Sequence, residues 1–107
     1  MVMRTYTGED FERDLDRLTL EWEDAIELTA EWRSFDGEQK AAITGEWLHT
    51  NAIQFAVEEY ANTHELTESQ RAAFLRVRDL IAKYTKALRA MGFPVQPLED
   101  AKGRAVA

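Results

Sequence analysis

The feature that most limits what this chain can fold into is a helical pitch. Apolar side chains recur at three- and four-residue spacing in three separate stretches, and the same type of capping pair precedes each one. Thr7 with Asp10, Asp36 with Gln39 and Thr67 with Gln70 each put an acceptor side chain before a helix start and a polar side chain three residues on. In that arrangement the two can answer the free amides of the first turn. Tyr6 and Phe11 have the spacing of a hydrophobic staple across the first start.

The first stretch reads Phe11, Leu15, Leu18, Trp22, Ala25, Thr29 and Trp32, a four-three alternation that keeps one seam facing one neighbour and predicts a long, nearly straight helix. Ser34 to Gly37 breaks the pattern. From Gly37 to about Ala61 the apolar positions, among them Ala41, Ile43, Trp47, Leu48, Ala52, Ile53, Phe55, Ala56, Val57 and Tyr60, cover an arc of roughly 200 degrees. They leave a wedge of Lys40, Thr44, Asn51, Gln54, Glu58 and Asn62 expected to face water. A polar loop over Asn62 to Glu65 follows, and the third stretch sets Phe74, Val77, Ile81, Tyr84, Leu88 and Met91 on one face. Gly92 then offers a left-handed cap, Phe93 stands where a Schellman contact requires it, and Pro94 prevents continuation.

Short loops between helices of similar length predict an all-α fold, an antiparallel up-down-up bundle of three long helices with an extended C-terminal tail. Residues 1–93 form the three-helix domain, with the middle helix burying surface against both neighbours. Residues 94–107, with two prolines and mixed charge, form an extended, partly disordered tail that Phe93, Val95 and Leu98 can dock onto the body. If the first two helices fold back near Phe35, Trp22 and Trp47 lie side by side. At 107 residues one domain buries roughly two-thirds of the surface its unfolded chain exposes, and 45% hydrophobic content argues against disorder for the body.

Several function classes lack their chemistry here. The absence of cysteine removes disulfides, thiolate metal sites and cysteine nucleophiles. There is no glycine-rich phosphate loop, neither histidine stands near a Ser or Thr in a nucleophile setting, and the aromatic residues sit at core spacing rather than as a base-stacking platform. His64, in a polar loop, reads as solvated. A net charge of −7 repels nucleic acid and anionic membranes at long range. No run approaches the ~20 apolar residues of a membrane span, and the first residues lack a secretory pattern, so the expected location is cytoplasmic.

Charge is unevenly shared. The third helix alone is positive, with Arg71, Arg76, Arg78, Lys83, Lys86 and Arg89 against Glu68 and Asp79. On the first helix Glu23, Glu27 and Glu31 form a like-charged row at four-residue spacing that calls for a cationic neighbour, either the third helix or another chain. Leu20, Ile26 and Leu28 fall outside the first helix's seam, leaving apolar surface that a second copy could cover.

The function expected is therefore that of a non-enzymatic, cofactor-free helical interaction or assembly factor that self-associates, as a dimer first, through a surface including Leu20, Glu23, Glu27, Leu28 and Glu31. One alternative is an acidic inhibitor, of antitoxin or immunity type, that covers a basic protein partner. The other starts from Glu46 and His49, a Glu-x-x-His on one helix face that resembles half of the di-iron site of ferritin-like bundles. That resemblance implies a dimeric carboxylate-histidine metal-binding bundle, with the second pair supplied by another copy.

Overall fold

The computed structural model describes residues 5–96 and Leu98. All three capping boxes form. The side chains of Thr7, Asp36 and Thr67 accept from the amides of Asp10, Gln39 and Gln70, whose own side chains accept in return from the cap amides. Each cap contributes about 1 kcal/mol. They open α1 (Gly8–Leu28), α2 (Gly37–Thr63) and α3 (Glu68–Ala90), and among the described residues the only other regular element is a 3-10 turn, Trp32–Ser34.

The first helix is shorter than its apolar seam. The Thr29 hydroxyl bonds back to the Ile26 carbonyl at 2.7 Å. The amides of Thr29, Ala30 and Glu31 turn to the carbonyls three residues back, which tightens the chain out of the α ladder. Trp32 is still buried, but from the 3-10 turn, where its ring lies 5.3 Å from Phe93 and 6.0 Å from Phe35.

Helix α1, not α2, is the middle of the bundle. Its Phe11, Leu15, Leu18, Trp22 and Ala25 are all almost fully buried, and it packs against both other helices. Phe11 stacks on Tyr60 of α2 at 4.6 Å and lies 6.2 Å from Phe74 of α3. The expected tryptophan pair is present, with the rings of Trp22 and Trp47 edge to face at 5.1 Å.

Helix α3 ends as its sequence prescribes. Gly92 has φ 97°, and the amides of Phe93 and Gly92 return to the carbonyls of Leu88 and Arg89 in a Schellman motif. The turn drives Phe93 into the core between Trp32 and Trp47, and Val95 follows it. Leu98 is partly buried against the same cluster. The rest of the predicted tail, position 97 and residues 99–107, lies outside the described residues.

The tail corrects the expected orientation of α2. Backbone outside a helix carries amides and carbonyls that need partners. Asn51 donates to the Pro94 carbonyl at 2.7 Å and accepts from the Gln96 amide at 3.3 Å, and Gln54 Nε2 donates to the Gln96 carbonyl at 3.3 Å. The wedge expected to be wet therefore faces inward. Gln54 is fully buried, Glu58 is buried, and of the six residues assigned to water only Asn62 is exposed. With Asn51 and Gln54 turned to the tail, α2 points Leu48 and Phe55 outward.

Asn51→Ala removes two hydrogen bonds of about 0.5–1.5 kcal/mol each. The expected result is a loss of about 1–3 kcal/mol in denaturant unfolding, accompanied by faster amide exchange at Gln96. Unchanged exchange at Gln96 would mean that Asn51 does not hold the tail.

Candidate functional site

Three turns and more of α2 present a face to solvent that is almost free of charge. Between Lys40 and Glu58 the only charged residue is Glu46, in a chain in which 31% of residues are charged. Ala41, Gly45, Leu48, Ala52 and Phe55 recur there at four-three spacing and are all exposed, so they form one stripe along the helix. Leu48 is 64% exposed and Phe55 57%; Leu20 at 59% and Leu75 at 53% are comparably exposed but do not fall in such a stripe.

Gly45 stands in the middle of this stripe. Glycine inside a helix costs about 1 kcal/mol relative to alanine. A β-carbon built there meets nothing within 4 Å among the described residues, and its backbone is not at positive φ, where only Gly92 occurs among them. Among the described residues, then, the missing side chain serves no contact.

At its C-terminal end the stripe runs into a groove of about 270 Å³ lined by Tyr6, Phe55, Ala56, Glu59, Tyr60, Thr63 and His64. His64 lies flat on Tyr60 at 4.0 Å and is exposed, as its loop position predicts. Tyr6 closes the other side and donates from its phenol to Asp14 Oδ2 at 2.7 Å. Burial first, and then the bond to the Asp14 carboxylate, push the Tyr6 phenol well above its ordinary range.

A phenol whose proton is held more tightly in the folded state adds stability that is fully present below the unfolded value of about 10. That contribution is lost as the pH rises further. The wild-type protein is therefore expected to lose stability above about pH 10 more steeply than Tyr6→Phe does, and the two should fall in parallel at neutral pH. Parallel curves through the alkaline range would contradict the role given to this bond.

The residues singled out from the sequence are divided between two grooves and an exposed row. Leu20, 59% exposed, lies with Glu23 in a groove of about 600 Å³ between α1 and α3, whose lining also includes Leu15, Val77, Leu80 and Arg76. Leu28 is half-buried in a different groove, between α1 and α2, together with Trp47 and Phe93. Glu23, Glu27 and Glu31 are exposed.

Nor does α3 answer the acidic row. Among the described residues the ion pairs join Arg13 to Asp10 and Asp14, and Arg17 to Glu21, all within α1. Three of the α3 bases turn elsewhere, Arg78 over the Phe74 ring, Lys83 over Tyr84 and Arg89 to the Val95 carbonyl, while Arg76 lines the same groove as Glu23 without forming one of these ion pairs.

Glu46 and His49 are both exposed on α2, and Glu46 lines the α1–α2 groove with Glu21 and Asp24. Among the described residues no group of three or more His, Cys, Asp or Glu side chains converges as a metal site would. No helix among them is long and apolar enough to cross a membrane.

Leu48, Gly45, Ala52 and Phe55 were not singled out by periodicity, because a wide apolar arc on α2 reads as core. The available signal was the tail. An extended segment after Pro94 needs polar side chains to pair with, and Asn51 and Gln54, three apart on α2, were the residues able to provide them. Compared with protein-family models, curated proteins and solved structures, the chain has no significant match.

Proposed function

We propose that this protein is a non-enzymatic helical interaction or assembly factor that acts by associating with other chains, beginning with its own copy. The observation that carries this reading is the uncharged outer face of α2, with Leu48 and Phe55 more than half exposed. Large apolar side chains in a row on an otherwise highly charged surface mark association sites in soluble proteins. The up-down-up order of the helices belongs to the same proposal. It is supported by the ring pairs Phe11–Tyr60 and Trp22–Trp47, which advance along α1 while receding along α2.

Sedimentation equilibrium over a range of concentrations tests the reading. The expected mass rises from one chain toward two as concentration increases. A single-chain mass at every concentration would count against self-association.

A second surface supports the acidic-inhibitor alternative. Glu23, Glu27 and Glu31 are exposed, with no cation within ion-pairing distance among the described residues. Such a row suits a basic protein partner, whose capture should weaken steeply as salt rises. Partner binding indifferent to ionic strength would remove this second role.

A further inference from the structure

The stripe on α2 is self-complementary in shape. Its members Ala41, Gly45, Leu48, Ala52, Phe55 and Glu59 lie symmetrically about position 50. If two α2 helices pair in opposite directions with a two-fold axis at the level of Thr50, residues equally distant from that point face each other. Leu48 then meets the partner's Ala52, and Phe55 meets the partner's Gly45. Both large side chains fall opposite small ones, in the knob-and-hole manner of helix pairs with this seven-residue spacing.

We infer that the protein forms a two-fold symmetric dimer through antiparallel α2 helices, with Phe55 of each chain seated on Gly45 of the other. This rests on the self-association reading and adds its partner surface, direction and register.

Three observations favour this occupant and this direction. First, the glycine: no described residue of the single chain lies within 4 Å of the place where its side chain would be, so the helix carries an unfavourable residue that a close neighbour from a second copy makes use of. Second, charge: the stripe from Ala41 to Phe55 holds none, so a second copy brings no acid onto an acid there, although the chain as a whole is at −7. Third, direction: a parallel pair stacks Phe55 on Phe55 and Glu59 on Glu59 and leaves an empty layer at Gly45. The antiparallel pair instead sets Glu59 against the partner's Ala41, close to the amide end of the partner's helix, where a carboxylate is favoured.

The pairing also bears on Glu46 and His49. It brings the two His49 side chains to one flank near the axis, while Glu46 stays at the α1–α2 groove. The second Glu-x-x-His is thus not assembled onto the first. One helix pair is a small interface, so association in about the micromolar range is expected.

The chain has no cysteine, so introduced thiols report without background. Ala41→Cys and Glu59→Cys proteins, oxidised singly and as a mixture, should give mainly the mixed disulfide. Gly45→Leu should leave the single chain as helical and as heat-stable as the wild type, or more so, while raising the dimer dissociation constant at least about tenfold. Disulfides formed mainly between two Ala41→Cys chains would establish a parallel pair and overturn this register while leaving self-association intact. A dimer indifferent to Gly45→Leu would overturn the inference as well. Absence of any wild-type dimer would remove both the inference and the reading beneath it.

Discussion

Phe55→Glu is expected to abolish self-association while leaving the fold of the single chain unchanged. Phe55 is 57% exposed in the single chain, so a dimer gains about 1–2 kcal/mol per ring, roughly half of what full burial contributes, and a symmetric dimer loses two such contributions. Since each 1.4 kcal/mol is a factor of ten, the dissociation constant should rise at least about tenfold from lost contact alone, and further from the two carboxylates placed in an apolar contact. In dilute solution, by contrast, the melting behaviour should stay within about 0.5 kcal/mol of wild type, because the ring is more than half exposed. Leu48→Glu, at a position 64% exposed, should behave the same way and lies away from the Tyr6 and Tyr60 groove. Sedimentation gives the association constant and circular dichroism the melting curve. If either substitution unfolds the dilute protein, its side chain belongs to the core and not to an interface.

The opposite pattern is expected at Trp22. It is fully buried at the centre of α1 and meets Trp47 edge to face. Trp22→Ala removes about 3–5 kcal/mol through lost contacts and the cavity left behind. A domain of this size has only about 5–15 kcal/mol in total, so the variant should be partly unfolded near physiological temperature or melt far below the wild type. Trp22→Phe should cost much less. It retains most of the apolar contact and removes an indole N–H that has no acceptor among the described residues. Because dimerisation adds to apparent stability, both unfolding curves belong in the Phe55→Glu background. A loss below about 1 kcal/mol for Trp22→Ala would show that the α1 seam is not the core.

Local chemistry made much of this fold legible. A threonine or aspartate acceptor with a polar residue three positions on fixes a helix start through bonds inside one turn, and nothing distant competes with them. Hence Thr7, Asp36 and Thr67 cap where the sequence places them, and Gly92 ends α3 by the same local logic. The α1 seam was legible too, because a narrow stripe can be buried on only one side.

Helix α2 was harder to read. Its apolar arc is wide enough that either of two opposite faces could have been buried, and the choice depended on a contact more than forty residues away in sequence. The tail binds Asn51 and Gln54, which turns a polar wedge inward and leaves Leu48 and Phe55 outside. Helix α1 ends before its apolar seam does, where the amides of Thr29 to Glu31 turn to carbonyls three residues back. Trp32 reaches the Phe93 cluster from the 3-10 turn, and no pattern within α1 contains that information. Leu20 and Leu28, expected on one surface, line separate grooves, the first against α3 and the second against α2.

The most direct test of α2 as the association surface is an amide NMR dilution series on the wild-type protein. Resonances of Gly45, Leu48, Ala52 and Phe55 are predicted to move with concentration while those of Glu23, Glu27 and Glu31 stay fixed. Concentration-dependent shifts confined to α1, or a spectrum that does not change on dilution, would contradict it.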